Sequence, residues 1–260
     1  MATIIALTNQ KGGVGKTTTS SALAAGLASF YDKKVLAVDL DPQGSLGFSL
    51  GLNIEDGYTI HDVLTGKVPV HEAIQTTDYC DILTSNILLS SAELEFTSED
   101  RELLLKNALA PVLRYYDYVV IDTPPALNIL TVNAYVAADY LIIPMAPEIL
   151  SLLGVSQLKE TIDSVRESLN PNLDVLGIIL TRFNGRTLLA REVKEMAENI
   201  SAQIGTRVFN TQIRPSVTVA EAPAHGISVF DHAPHSNPSL DYHEFVDEVV
   251  TMTAKSQEVH

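Results

Sequence analysis

Asn9-Gln10-Lys11-Gly12-Gly13-Val14-Gly15-Lys16-Thr17-Thr18-Thr19 joins an apolar run, Ile4-Ile5-Ala6-Leu7, to a helix-like run that begins near Lys16. Glycines at 12, 13 and 15 let the backbone turn tightly, so consecutive N–H groups can face one anion with no side chain in the way. The following helix adds its positive N-terminal end. Lys16 is placed to reach the β- and γ-phosphates of a nucleotide as a point charge, and the Thr17 hydroxyl offers a hard oxygen to Mg²⁺. The expected nucleotide contacts run from Lys11 through Gly12, Gly13, Val14, Gly15, Lys16 and Thr17 to Thr18.

Outward from this loop, apolar β-rich runs recur at 3–8, 34–39, 79–84, 118–122, 140–145 and 173–181, with helical patterns between most of them. The run 16–30 carries Leu23, Leu27 and Phe30 at helical spacing, and 98–113 opens with the capping signature Ser-Glu-Asp-Arg-Glu. Alternating strands and helices, with near-continuous apolar strands, predict an α/β fold: a doubly wound, mostly parallel sheet with helices on both faces. Ligands then belong at the C-terminal ends of the strands. The stretch 221–239, with Pro223, Gly226, Pro234 and Pro238, reads as loop. A final helix over 237–257, entered at Pro238, puts Tyr242, Phe245, Val249 and Met252 on one face and is expected to dock on the body.

The 260 residues are expected to form one domain with a substantial core. The start of the chain lacks a cationic n-region, and Asp139 and Glu148 interrupt the most apolar segment, 135–153, so neither a signal peptide nor a membrane span is expected. A single cysteine, Cys80, excludes an internal disulfide and suits a reducing cytoplasm. The net charge of −15 argues against a surface uniformly adapted to nucleic acid. Basic residues nevertheless concentrate between 159 and 214, where eight Lys/Arg meet seven Asp/Glu, while the rest of the chain holds nine against 25.

The strict P-loop pattern G-x-x-x-x-G-K-S/T is not met, because its first glycine falls at Gln10; a second lysine, Lys11, stands beside it. Lys11-Gly-Gly-Val-Gly-Lys-Thr resembles the deviant Walker A box of the ParA/MinD family. The resemblance implies a P-loop NTPase fold, ATP and Mg²⁺ as cofactors, and a homodimer with ATP sandwiched between subunits, Lys11 crossing to the partner's nucleotide. Asp39-Leu40-Asp41-Pro42-Gln43-Gly44 is similar to the family's D-x-D-P-Q-G segment. By that likeness Asp41 orients the attacking water and Asp39 supports the magnesium shell. Read from the residues alone, the pair could also be solvated turn aspartates. Tyr118-Val-Val-Ile-Asp122 followed by Thr123-Pro124-Pro125 has the form of a Walker B strand, with Asp122 holding a magnesium-bound water and 123–126 forming a second switch.

Leu180-Thr181-Arg182-Phe183-Asn184-Gly185-Arg186-Thr187 looks like the family segment that borders the adenine and leads into a DNA-contacting helix. Some relatives carry a base-reading asparagine where this chain has Thr181, which leaves the backbone near 213–216, with Pro215, to meet the base. Arg186 matches an arginine tied to non-specific DNA binding, with Arg182, Arg191, Lys194 and Arg214 as possible neighbours. The alternative is a set of surface arginines paired with Glu192, Glu195 and Glu198. Glu221-Ala-Pro-Ala-His-Gly226 resembles the S-E-A-P-S-H-G signature of chromosomal ParA proteins, whose preceding arginine is Thr218 here. His232, His235 and His243, at irregular spacing, read as solvated histidines rather than a metal site.

The resemblance covers nearly the whole chain and points to the ParA/Soj branch. It implies a cytoplasmic, nucleoid-associated ATPase that dimerises with ATP, binds double-stranded DNA without sequence preference and segregates or positions plasmid or chromosomal DNA with a ParB-like adaptor. A positioner of protein cargo, of carboxysome or chemoreceptor type, would use the same chemistry. A MinD-like membrane-cycling regulator is disfavoured, because the chain closes on Ala-Lys-Ser-Gln-Glu-Val-His rather than a basic amphipathic helix. The lone cysteine weighs against a reductase or metallochaperone.

Overall fold

The computed structural model describes residues 2–52, 57–147 and 155–257. Its sheet has eight strands: β1 (Thr3–Leu7), β2 (Val35–Asp39), β3 (Ile74–Thr76), β4 (Asp81–Leu83), β5 (Tyr118–Asp122), β6 (Tyr140–Met145), β7 (Asp174–Leu180) and β8 (Val208–Gln212). Their order is β3-β4-β2-β5-β1-β6-β7-β8. Every pairing is parallel except β3 with β4.

The central strands are apolar on both faces, and the two faces feed separate cores. Ile4, Ala6, Leu36, Val38, Val119 and Ile121 point to one side, where the helices Leu104–Leu109, Ile129–Ala137, Val155–Ser168 and Leu188–Ile204 lie. Ile5, Leu7, Val35, Ala37, Tyr118 and Val120 point to the other, against the helices Lys16–Tyr31, Ser45–Ser49 and Asn237–Gln257. This alternation is the period-two geometry of a strand, and a sheet covered twice needs apolar residues at both parities. The doubly wound parallel architecture is therefore as expected.

The final helix buries Tyr242, Phe245 and Val249, with Met252 half-buried. Phe245 meets Phe209 of β8 edge to face at 5.0 Å, and Thr253 bonds the Tyr118 hydroxyl at 2.9 Å.

Three local expectations change. Two edge strands went unanticipated: β3 is short and polar, and β8 hides its pattern in Val-Phe-Asn-Thr-Gln. The segment 98–113 is broken into 3₁₀ turns at Arg101–Leu103 and Leu113–Tyr115 around the helix Leu104–Leu109. There the Ser98 carbonyl, not its hydroxyl, accepts from the Arg101 N–H, and Pro111 has no N–H with which to continue the helix. The stretch read as loop holds two short helices, Thr218–Ala224 and Val229–His232, the second capped by the Ser228 hydroxyl accepting from the Asp231 N–H at 3.2 Å.

Candidate functional site

The chain leaves β1 at the centre of the sheet, between β5 and β6, where successive connections diverge to opposite sides. That is where a doubly wound sheet opens a crevice. Gly13 (φ 74°) and Gly15 (φ 85°) are left-handed, a conformation costly for any residue with a Cβ. Gly15 caps the helix Lys16–Tyr31. The loop is stapled from both flanks. Asn9 donates through Nδ2 to the Pro144 carbonyl at 2.7 Å and accepts from the Lys11 N–H at 2.9 Å. On the other side the Thr181 hydroxyl donates to the Val14 carbonyl at 2.7 Å. Lys16 is buried and folds its Nζ back onto the Lys11 carbonyl at 3.1 Å. Burial lowers its pKa, and the charges of Asp122 and Asp41 oppose that shift.

Asp39 and Asp122 end neighbouring strands in register and are fully buried. Asp122 accepts from the Thr17 hydroxyl at 2.6 Å and the Ser20 hydroxyl at 2.9 Å. Asp39 accepts from the Asp41 N–H and the Leu46 N–H, both at 2.9 Å, and so fixes the turn that carries Asp41. Burial pushes the Asp122 carboxyl up to about 6 against the Thr17 and Ser20 donors. Burial, reinforced by the charge of Asp122, also raises Asp39 well above the usual carboxylate range. Asp41 accepts from the Gln43 N–H through Oδ1 at 3.0 Å. Thr123, which opens the second switch segment, donates to the Leu7 carbonyl at 2.8 Å, and Asn128 caps the helix after it.

These elements surround a cavity of about 690 Å³, within the range of small-ligand pockets. One end is the phosphate loop, with Gly12, Gly13, Gly15, Lys16, Thr17, Thr18 and Asp41 on its wall. The other is mainly apolar, built by Ile213, Pro215, Val217, Val219 and Tyr242, with Thr181, Arg182 and Arg214 beside them. A chain of negative phosphates and a flat ring match these two ends. Val14 lies beneath the wall, its backbone held by Thr181, and Asp39 and Asp122 stand behind Thr17 and Asp41. Lys11 sits half-exposed at the start of the loop.

The five basic candidates divide. Arg186, Arg191 and Lys194 lie at the start and outer face of the helix Leu188–Ile204, whose inner face buries Ala190, Val193, Ala197 and Ile200. Arg182, left-handed at φ 49°, and Arg214 instead border the cavity. Arg214 is gripped by Asp241 of the final helix. His232 stacks on His225 and His243 meets Phe30, and among the described residues no group of three or more His, Cys, Asp or Glu could hold a metal.

Sequence reasoning missed Asn9, Ser20, Asp241 and Tyr242. Ser20 was within reach, since it follows Lys16 by one helical turn and shares its face. Asp241 and Tyr242 carry no local signal, because the fold brings them to the loop from the far end of the chain.

Loop, sheet order and crevice define a P-loop nucleotide-binding protein. The AAA domain family matches residues 2–175. The chain is 40% identical over 253 residues to the sporulation initiation inhibitor protein Soj of Bacillus subtilis, covering 96% of this chain and 98% of Soj. In structure it is similar to cobyrinic acid a,c-diamide synthase from Mycobacterium smegmatis with bound ADP and magnesium (TM-score 0.83, 35% identity, 96% and 94% coverage). It is also similar to McdA from Cyanothece in complex with ATP (TM-score 0.84, 25% identity, 96% of each chain). The chain belongs to the ParA/Soj family of chromosome-partitioning ATPases.

Proposed function

We propose that this chain is a single-domain, Mg²⁺-dependent ATPase that dimerises around ATP, binds duplex DNA without sequence preference and partitions DNA with a ParB-like adaptor. The observation that carries the reading is the convergence of Lys16, Thr17, Asp41, Asp39 and Asp122 at the phosphate end of one cavity.

The donor set suits magnesium. Thr17 gives its hydroxyl proton to Asp122, which leaves the lone pairs of Oγ1 available to a hard cation, and the carboxylates of Asp122 and Asp39 stand behind it to hold cation-bound waters. When bound, the ion neutralises charge on the β- and γ-phosphates. Lys16 leaves the Lys11 carbonyl to pair with those phosphates, while the loop N–H groups hold the remaining oxygens. Asp41 has Oδ1 fixed by the Gln43 N–H, so Oδ2 accepts a hydrogen bond from the attacking water and aims the water oxygen at the γ-phosphorus. The water oxygen bonds to phosphorus as the bond to the ADP oxygen breaks, and phosphoryl transfer needs this alignment more than a strong base. Lys11 of a second copy supplies positive charge from across the dimer.

DNA binding is assigned to the outer face carrying Arg186, Arg191 and Lys194 through phosphate contacts, which supply affinity without sequence information. Among the described residues no helix is long and apolar enough to cross a membrane.

Light scattering and gel shift on arbitrary duplex DNA, with ATP and with ADP, test the proposal. ATP but not ADP is expected to produce a dimer that retains DNA, and Lys16→Ala to abolish both. Equal DNA retention with and without ATP overturns the nucleotide-gated reading.

A further inference from the structure

The apolar end of the cavity depends on a segment that has little hold of its own. Ile213 is the last residue tied to the sheet: its N–H donates to the Leu180 carbonyl and its carbonyl accepts from the Phe183 N–H, both at 2.8 Å. Beyond it the chain lines the cavity through Arg214, Pro215, Ser216 and Val217 and enters the helix Thr218–Ala224. Pro215 has no N–H to anchor, and Val217 is 73% exposed.

One side chain holds the point of departure. Asp241, 6% exposed on the final helix, accepts from the Arg214 N–H at 2.9 Å, from Nε at 2.9 and 3.1 Å, and from Nη2 at 2.5 Å. Nη2 also reaches the Asn237 carbonyl at 3.4 Å. A forked guanidinium and a backbone N–H on one carboxylate fix direction as well as distance. The adjacent Tyr242 lines the same cavity and lies 3.3 Å from the Thr19 hydroxyl, so the final helix touches both the base wall and the helix behind the phosphate loop.

We propose that Asp241 is a positioning residue for nucleotide recognition: acting through Arg214, it latches segment 213–217 in the place where that segment meets the base. The inference rests on reading the cavity as the ATP site. It assigns Arg214, a candidate DNA contact by sequence, to the nucleotide instead, its guanidinium committed to a nearly buried carboxylate. It also gives the final helix a role beyond covering the sheet.

The test compares ATP with inorganic tripolyphosphate, which fills the phosphate end alone, by isothermal titration of the full chain. Arg214→Ala and Asp241→Asn are expected to weaken ATP about tenfold or more, the usual scale for losing a charged hydrogen-bond partner, and to leave tripolyphosphate affinity unchanged. Arg214→Lys, which keeps the charge but not the fork, is expected to recover only part of the loss. At saturating ATP, Arg214→Ala is expected to retain DNA like the parent. Unchanged ATP affinity overturns the latch, as does an equal loss for both ligands, which marks a general effect on the fold. Weakened DNA retention with intact ATP affinity returns Arg214 to the DNA surface and likewise overturns it. Should Asp241→Asn fail to fold, Arg214→Gln, at a half-exposed side chain, gives the same readings. Failure of the parent protein to bind ATP defeats the underlying site assignment, an outcome distinct from all of these.

Discussion

Thr181 and Asp41 both line the cavity and act in different ways. The Thr181 hydroxyl is committed to the Val14 carbonyl, buried under the loop, and its side chain lies 3.6 Å from where a Cβ on Gly15 would stand. It therefore shapes the phosphate loop, and its hydroxyl proton is not free to donate to a base. Thr181→Val keeps the shape and strands that carbonyl, at a cost of about 1–3 kcal/mol. ATP, GTP and tripolyphosphate are all expected to weaken by one common factor in titration calorimetry; a loss confined to ATP would instead place Thr181 on the base. Asp41→Ala should leave ATP affinity near the parent value and slow phosphate release by about a hundredfold or more, the scale of a lost water-orienting group. Hydrolysis at the parental rate removes Asp41 from the mechanism. At this scale the sequence was most legible where chemistry depends on neighbours in the chain: Gly12, Gly13, Gly15, Lys16 and Thr17 form their cradle within a single turn. Asn9, Thr181 and Asp241 were illegible because each works on a residue from another element.

Between elements, the helix Thr218–Ala224 is wedged so that Val219 and Ala220 face the cavity while its far end abuts the turn after the helix Ser45–Ser49. There Gly51 (φ 86°) and Gly226 (φ 64°) meet backbone to backbone, and a Cβ on Gly51 would lie 2.6 Å from the Gly226 carbonyl oxygen. This contact explains why the Glu-Ala-Pro-Ala-His-Gly segment ends in glycine. It also joins the base wall to the helix whose Leu46 N–H holds Asp39. Gly51→Ala is expected to lower the melting temperature well beyond Gly66→Ala, which carries a similar φ of 73° but has nothing within 4 Å, and to reduce hydrolysis with it. Equal losses in the two variants would mean that backbone strain alone, and not the contact, matters. The element pattern was readable in the long apolar strands. It failed where turns are ruled by local breaks, as at Pro111, or by partners distant in sequence, as with Gly226.

Across the whole molecule, the sheet separates two cores, and the final helix seals one of them. Phe245 is fully buried there against Phe209. Phe245→Ala is expected to destabilise the fold by about 3–5 kcal/mol, read from denaturant or thermal unfolding. A cost under about 1 kcal/mol would show that the helix is peripheral. The architecture was legible because a sheet buried on both faces demands apolar runs that few other folds require. The placement of its last helix against the nucleotide cavity was not, since amphipathic spacing says that a helix docks and not where.

The cavity draws its walls from residues 12–18 and again from Tyr242, near the two ends of the described chain. Seen during synthesis, this arrangement has a temporal meaning. A nascent chain that has emerged only through Asp122 still lacks Pro144 and Thr181, which staple the phosphate loop, and lacks every residue of the base wall. High affinity for a complete nucleotide is expected only after the helix Asn237–Gln257 has docked, so nucleotide uptake follows that docking rather than preceding it.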